Sequence, residues 1–360
     1  MSREPLLRQT LIPVYTRTMK KAFVTGASGF IGSAVARALL RDGVEVRALV
    51  RPSASRKAID GLDVEVVPGG LDDHSAIAEG LKGCDACFHV AGMNRLSLRG
   101  RAEVAAMHEA NDKGAARVLR IAAESGCEAI VHTSTIAVIG RPPKGVDRHA
   151  NESDHPDEDE LVVPYQLSKH RGELRALKLA EEGAPVVIVS PTAPMGPFDV
   201  KPTPTGKMVL DFLRRKVPGY METGLNVIDV EDCARGHILA AQKGRPGMRY
   251  ILGHENLSVR EIFNRLAEIT GLPAPGFKVP KVVALMAAFF SEAKAKLTGN
   301  EARVPLAGVR MALRPMWFEN TRAVEELGLP TRPVDETLRR AAAWFVEQGY
   351  VEPPPKDLTA

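Results

Sequence analysis

Cysteine is scarce in this chain of 360 residues, which holds only Cys84, Cys87, Cys127 and Cys233. Four thiols over this length make no disulfide framework and point to a reducing, cytoplasmic compartment. Cys84 and Cys87 form a single C-x-x-C, but a structural zinc site wants a second pair or nearby histidines. They read as small buried residues beside a strand, and no metal is expected. Aromatic residues are only 5% of the chain, and its net charge of +4 is spread without a run of Lys or Arg. A nucleic-acid partner is therefore not expected, because both a basic stripe and a binding motif are missing. Long apolar runs are also missing. The longest, Val282 to Phe290, falls far short of the roughly 20 residues a spanning helix needs. Residues 1–18 scatter Leu6, Leu7, Leu11 and Ile12 among polar neighbours, without the apolar block of a signal peptide, and read as an N-terminal extension.

What is present is a 44% hydrophobic content, enough for a sizeable core, and a regular alternation of short apolar runs with helical ones. Lys21–Thr25, Val44–Val50, Val64–Val67, Ala86–Val90, Ala129–Ser134 and Pro185–Val189 read as strands. Ile31–Arg41, His74–Leu81, about Glu103–Glu124 and Leu167–Glu182 read as helices. Strands apolar at nearly every position belong to a sheet covered on both faces, and their alternation with helices predicts an α/β fold with a doubly wound parallel sheet. The polar, acidic stretch from Gly140 to Pro164 reads as a surface loop, with Asp154–Glu160 solvated. Pro191, Pro194, Pro197, Pro202 and Pro204 crowd the next segment, where regular structure should not persist. The expected division is a dinucleotide-binding domain over 19–190, a smaller region of helices and short strands over 191–350, and a loose tail over 351–360.

Gly26-Ala27-Ser28-Gly29-Phe30-Ile31-Gly32 follows the first strand and opens a helix. The first glycine allows the tight turn, the second lets backbone approach a pyrophosphate, and the third lets helix pack on strand. The N–H groups at the helix start then face the phosphates. The end of the second strand should meet the adenosine ribose, where a carboxylate would bind two hydroxyls. Arg51 stands there instead, with Arg56 and Lys57 close behind, and a cation suits a 2′-phosphate. NADP is the expected cofactor, with NAD as the alternative.

Tyr165 and Lys169 make a Y-x-x-x-K at the start of a helix, so both lie on one face. A tyrosine near pKa 10 is a poor acid–base catalyst at neutral pH, and a neighbouring ammonium is expected to lower that value. His132 reads as a buried, hydrogen-bonded histidine. His89 and His108 lack metal-ligand partners at useful spacing.

Together these motifs resemble the extended short-chain dehydrogenases/reductases, the superfamily of NAD-dependent epimerases and dehydratases, over roughly residues 20–350. The likeness rests on Val24 to Gly32, Phe88-His89-Val90-Ala91-Gly92, Asn111 with Gly114, Thr133-Ser134-Thr135, and Tyr165 with Lys169. It continues through Ser190-Pro191-Thr192, Gly196-Pro197, Val227 to Asp232 and Ala341–Phe345. Lys201 to Gly206 is similar to a bacterial subgroup, dihydroflavonol reductase- and 3β-hydroxysteroid dehydrogenase-like, found with hopanoid and sterol biosynthesis. The resemblance implies Tyr165 as general acid/base, Lys169 as its partner, Thr135 as a hydrogen-bond donor to the reacting oxygen, and Asn111 ordering a relay water. It also implies cofactor contacts from Gly26, Ser28, Gly29, Phe30, Ile31, Gly32, Arg51, Leu71, Val90, Ala91, Gly92, Thr133, Tyr165, Lys169, Pro191 and Thr192. Two departures stand out. The polarising serine is Thr135 here, with Ser134 as the fallback, and a carboxylate that contacts adenine in the family is replaced by Gly70. Asp72 and Asp73 follow out of register.

The expected activity is hydride transfer between NADP(H) and a secondary alcohol or ketone on a lipid-like polycyclic isoprenoid. Oxidation of a 4-carboxysterol, followed by decarboxylation, is one form of it. A nucleotide-sugar epimerase with tightly bound NAD is the alternative, and a non-catalytic dinucleotide-binding protein a further one. A homodimer through the Tyr/Lys helix is the default expected from the resemblance. Val282–Phe290, followed by Lys294 and Lys296, reads as a helix covering the pocket or core, with peripheral contact to a membrane surface as its rival.

Overall fold

The computed structural model describes residues 17–358 except 99, 299–301 and 303. The first half runs β1 Lys21–Thr25, α1 Phe30–Arg41, β2 Glu45–Val50, β3 Val64–Pro68, α2 His74–Leu81, β4 Ala86–His89, α3 Arg101–His108, α4 Ala115–Glu124, β5 Ala129–Thr133, α5 Pro164–Glu181 and β6 Val186–Pro191. The second half runs β7 Ala193–Met195, α6 Pro204–Leu213, β8 Gly219–Met221, β9 Gly224–Asp229, α7 Val230–Lys243, β10 Arg249–Leu252, β11 Glu255–Ser258, α8 Val259–Thr270, β12 Phe277–Val279, α9 Lys281–Thr298, α10 Leu306–Met311 and α11 Val334–Glu347.

A seven-stranded parallel sheet in the order β3-β2-β1-β4-β5-β6-β10 forms the centre. Every residue of β4, β5 and β6 is buried, because helices cover both faces. Val35, Leu39, Ile238 and Leu239 of α1 and α7 pack on one face. Ile77, Leu119, Ile130 and Leu179 close the other beneath α2, α4 and α5. A separate core holds α6, α8 and α11 together through Phe212, Phe263, Leu266, Trp344 and Phe345. This doubly wound α/β sheet is the fold expected from the strand–helix alternation.

Two elements of the second half join the first. β10 pairs with β6 in register Arg249↔Ile188 to Leu252↔Pro191, and α7 packs along α1, so both complete the first layer system. The crowded prolines are absorbed at positions that tolerate them. Pro191 ends β6, Pro194 sits in β7 at the edge of a three-stranded sheet, and Pro204 opens α6. The acidic loop is not simply solvated. Glu152 accepts a hydrogen bond from Ile251 N at 2.9 Å, and Asp154 is held by both Arg148 guanidinium nitrogens at 2.6 and 2.7 Å. Over its described residues the tail is docked rather than loose: Lys356 bonds Thr270 O at 3.0 Å, and Leu358 is buried in the second core. Of the N-terminal extension, residues 1–16 lie outside the described residues, and Arg17 bonds Gln242 O at 3.1 Å.

The long helix expected over 103–124 is continuous but contains a π-helical turn, Glu109–Gly114, between α3 and α4. A Cβ at Gly172 of α5 would stand 2.1 Å from Asn111 O, so this turn and α5 are in direct backbone contact.

Candidate active site

The site gathers at the C-terminal ends of β1, β4, β5 and β6, where the strand order reverses between β1 and β4. Gly26 leaves β1 with φ +76°, and a Cβ there would lie 2.7 Å from Ala91 N. A Cβ at Gly32 would come within 2.1 Å of Gly26 O. Glycine is thus required at both positions by backbone proximity. Gly29 caps α1 without a side-chain bond, and no acid occupies the first turn of α1. Helix-start amides uncapped by a side chain, beside a glycine turn, form a cradle that fits a pyrophosphate. The dinucleotide implied by the motif therefore fits the residues present.

The floor of this cradle is a chain of hydrogen bonds. Ala91 N donates to Thr25 Oγ1 at 3.2 Å, and Thr25 Oγ1 lies 2.8 Å from His89 Nδ1. Having accepted from Ala91, the Thr25 hydroxyl is free to donate to Nδ1. Burial pushes the imidazole of His89 down to about 3, so this ring is neutral. His132 on the neighbouring strand stacks on it at 5.5 Å. Among the described residues neither His132 ring nitrogen has a hydrogen-bond partner, so the hydrogen-bonded histidine expected there is instead an unpartnered one. Burial and the nearby Lys169 charge lower its pKa well below the usual value.

Pro164 at the first helical position sets the start of α5, because its missing N–H costs nothing there. Tyr165 follows in the first turn and Lys169 one turn on. The Tyr165 side chain is hydrogen-bonded to Thr135, while Lys169 Nζ donates to Thr133 O at 2.7 Å. Burial raises the Tyr165 pKa and the Thr135 bond only partly offsets this. The net lowering expected from a neighbouring ammonium is not seen, because burial of the phenol outweighs what lowers it. Desolvation brings Lys169 itself down to about 8, opposed by the charge of Glu173.

Ser134 does not compete with Thr135. Its hydroxyl donates to Glu173, which also pairs with Arg249, and all three are buried. Glu173 lies one helical turn beyond Lys169. The sequence reading passed over it, although its i+4 spacing from Lys169 was the available signal. Asn111 is placed beside the site but is spent on structure. Its Oδ1 accepts from Met93 N at 2.7 Å, and its Nδ2 donates to Met93 O and Ser168 Oγ at 2.9 Å each. A Cβ at Gly92 would lie 3.1 Å from Asn111 Oδ1 and 3.3 Å from Lys169 Nζ, so that backbone passes directly over the two polar groups.

The remaining expected cofactor residues distribute around this centre. Val90 N bonds Thr25 O at 3.3 Å, and Thr192 N and Oγ1 both reach Leu252 O, at 3.0 and 3.2 Å. The Thr133 hydroxyl meets His237 Nε2 at 3.1 Å. Leu71 O accepts from Arg117 at 2.6 Å, and Asp73 caps α2 by accepting from Ala76 N. Arg51 is exposed just past the end of β2, with Arg56 and Lys57 exposed nearby.

A glycine cradle at the switch point of a parallel sheet, with a Thr–Tyr–Lys set on the next crossover, defines a dinucleotide-dependent oxidoreductase. Residues 22–253 match the NAD dependent epimerase/dehydratase family, and the chain belongs to it. It is an NAD(P)-dependent short-chain dehydrogenase/reductase acting on CH–OH groups. The chain is 42% identical over 334 residues to a Synechocystis sp. protein provisionally named dihydroflavonol 4-reductase, covering 92% of this chain and 96% of that one. It is 29% identical over 337 residues to sterol demethylase protein B of Methylococcus capsulatus, covering 91% and 99%. The crystal structure of gox2253 superposes with a TM-score of 0.80 at 38% identity, covering 92% of this chain and all of that one.

Proposed function

We propose that this chain transfers hydride reversibly between NADP(H) and a secondary alcohol or ketone on a polycyclic isoprenoid, a sterol or hopanoid. The observation that carries the chemistry is the convergence of Thr135, Tyr165 and Lys169 at the C-terminal end of the central strands. The nicotinamide supplies or takes the hydride when bound. Thr135 and Tyr165 hold the reacting oxygen between two hydroxyls. In the reductive direction Tyr165 gives its proton to that oxygen, and in the oxidative direction it takes the proton back. A tyrosine held protonated by burial suits the first role. Lys169, held on Thr133 O beside this pair, would bind the nicotinamide ribose and so place the hydride against the reacting carbon.

Arg51 supports the choice of NADP, since its exposed guanidinium at the end of β2 suits a 2′-phosphate. The relative named sterol demethylase protein B supports a sterol-like substrate. On a 3β-hydroxysterol bearing a 4-carboxylate, oxidation at C3 gives a β-keto acid that loses carbon dioxide. A second reading, epimerisation of a nucleotide sugar on tightly held NAD, is favoured by the family description.

Titration of the purified protein with NADPH and NADH separates the two. A charge-assisted hydrogen bond contributes about 1.5–3 kcal/mol when well formed. At an exposed site the low end applies, so Arg51→Ala should reduce the NADPH preference about tenfold. NAD that copurifies, with no preference for NADPH, would favour the epimerase. No turnover of 4-carboxysterols with either cofactor would remove the decarboxylating form of the proposal.

A further inference from the structure

Helix α9 is built inside out. Val282, Val283, Met286, Phe289, Phe290 and Leu297 are all more than half exposed, the last at 88%. At 3.6 residues per turn these positions fall within an arc of about 120°. The opposite side is lined by small residues, with Ala288 and Ala295 buried. Two hydrogen bonds hold this orientation: Val304 N donates to Ser291 Oγ at 3.0 Å, and Leu306 N to Glu292 Oε1 at 3.0 Å. The apolar stripe expected to cover the core therefore faces solvent. Phe277 on β12, just before the helix, is exposed as well.

We infer that the outward face of α9 docks on an anionic phospholipid bilayer. Charge selects this occupant. Lys294 borders the arc and Lys281 opens the helix, both exposed, while the acid Glu292 is turned inward onto Leu306 N. Lys278 stands one strand away, paired with Glu222. An apolar stripe with a cation at its border and another at the helix start suits acyl chains below and anionic headgroups beside them. Among the described residues the acids beside this face, Glu222 and Glu292, are held by Lys278 and Leu306 N, so a second copy would offer its lysines no free carboxylate. Among the described residues no helix is long and apolar enough to cross a membrane, so α9 lies on the surface.

Behind this face α9 packs on α10, and a Cβ at Gly308 of α10 would touch Leu96 Cδ1 at 3.4 Å, four residues beyond Gly92. The inference rests on this face alone and stands whichever substrate the site accepts.

Co-sedimentation of the full chain with vesicles of phosphatidylcholine containing phosphatidylglycerol tests it, with pure phosphatidylcholine vesicles in parallel. The expected result is binding that is stronger to the anionic vesicles and weakens with salt. Phe289→Ser with Phe290→Ser should weaken it at least tenfold, with thermal unfolding and NADPH titration unchanged. Should that pair not fold, Lys281→Gln with Lys294→Gln should still remove most of the preference for anionic vesicles. Wild-type protein left in the supernatant with both vesicle types would overturn the inference, as would lysine variants that bind like wild type. A concentration-dependent dimer that the phenylalanine variant abolishes, without vesicle binding, would assign the face to a second copy instead.

Discussion

Arg249→Met should destabilise the protein far more than the loss of one hydrogen bond. Arg249 and Glu173 form an ion pair in which the side chains are 5% and 1% exposed. Among the described residues the Ser134 hydroxyl is the one other hydrogen-bond partner of the Glu173 carboxylate. Removing the guanidinium leaves a carboxylate in the sheet–helix interior with one donor. Breaking a buried pair from one side costs about 3–5 kcal/mol. With an unfolding entropy of roughly 2.1 cal/mol/K per residue, a chain this long would lose about 4–7 °C in melting temperature. The double variant Arg249→Met, Glu173→Leu should recover most of the loss, because no charge remains to desolvate. Calorimetric scans of wild type, single and double variants provide the assay. A single variant that melts like wild type, or a double variant worse than the single, would refute the reasoning.

Three further outcomes follow from the same geometry. Tyr165→Phe should lower kcat about 10²–10⁴-fold, with NADPH binding unchanged by titration; unaltered turnover of a true substrate would exclude Tyr165 as the acid. Lys169 has a folded pKa of about 8 against 10.5 ordinarily, so between those values the unfolded chain binds more protons and stability rises with pH. Below about 8 the penalty is present in full, on the order of 3 kcal/mol at most. Lys169→Met should therefore flatten the rise in stability between pH 8 and 10, as read by denaturant unfolding. Gly172→Ala should cost about 1–3 kcal/mol by overpacking and should lower kcat as well, since the new methyl meets Asn111 O and pushes on the helix that carries Tyr165; a fully active, equally stable variant would show that the contact is soft.

The strands of the first half were legible because buried parallel strands are continuous apolar runs. β1 and α2 match their expected bounds, and β2 to β6 begin or end within a residue or two. The glycine cradle and the Thr–Tyr–Lys set were legible because their spacing relative to a strand and a helix start carries the geometry. β10 was not, since Arg249–Leu252 is four residues long and gains its place only by pairing with residues some sixty positions earlier. The π turn was hidden for a similar reason. Glu109–Gly114 holds three weak helix formers, Asn111, Asp112 and Gly114, but their identity does not specify a π turn, and it is the Gly172 contact and the Asn111–Met93 bonds that accompany the departure. Tyr165 shows where spacing misleads. Sharing a helix face with Lys169 implied an electrostatic lowering of its pKa, but burial of the phenol decides the outcome, offset only in part by Thr135.

The position of β10 has a consequence for biosynthesis. When the ribosome has released the first 190 residues, β6 has no neighbour on its outer side and the face beneath α1 lacks α7. The nascent chain therefore exposes an open, fully apolar strand edge for the time taken to make about 60 more residues, several seconds at 5–20 residues per second. That interval is when a chaperone would be recruited, and when crowded chains would stick edge to edge. Expression conditions that slow initiation, spacing the chains along the message, should raise the soluble yield more than conditions that stabilise the finished protein.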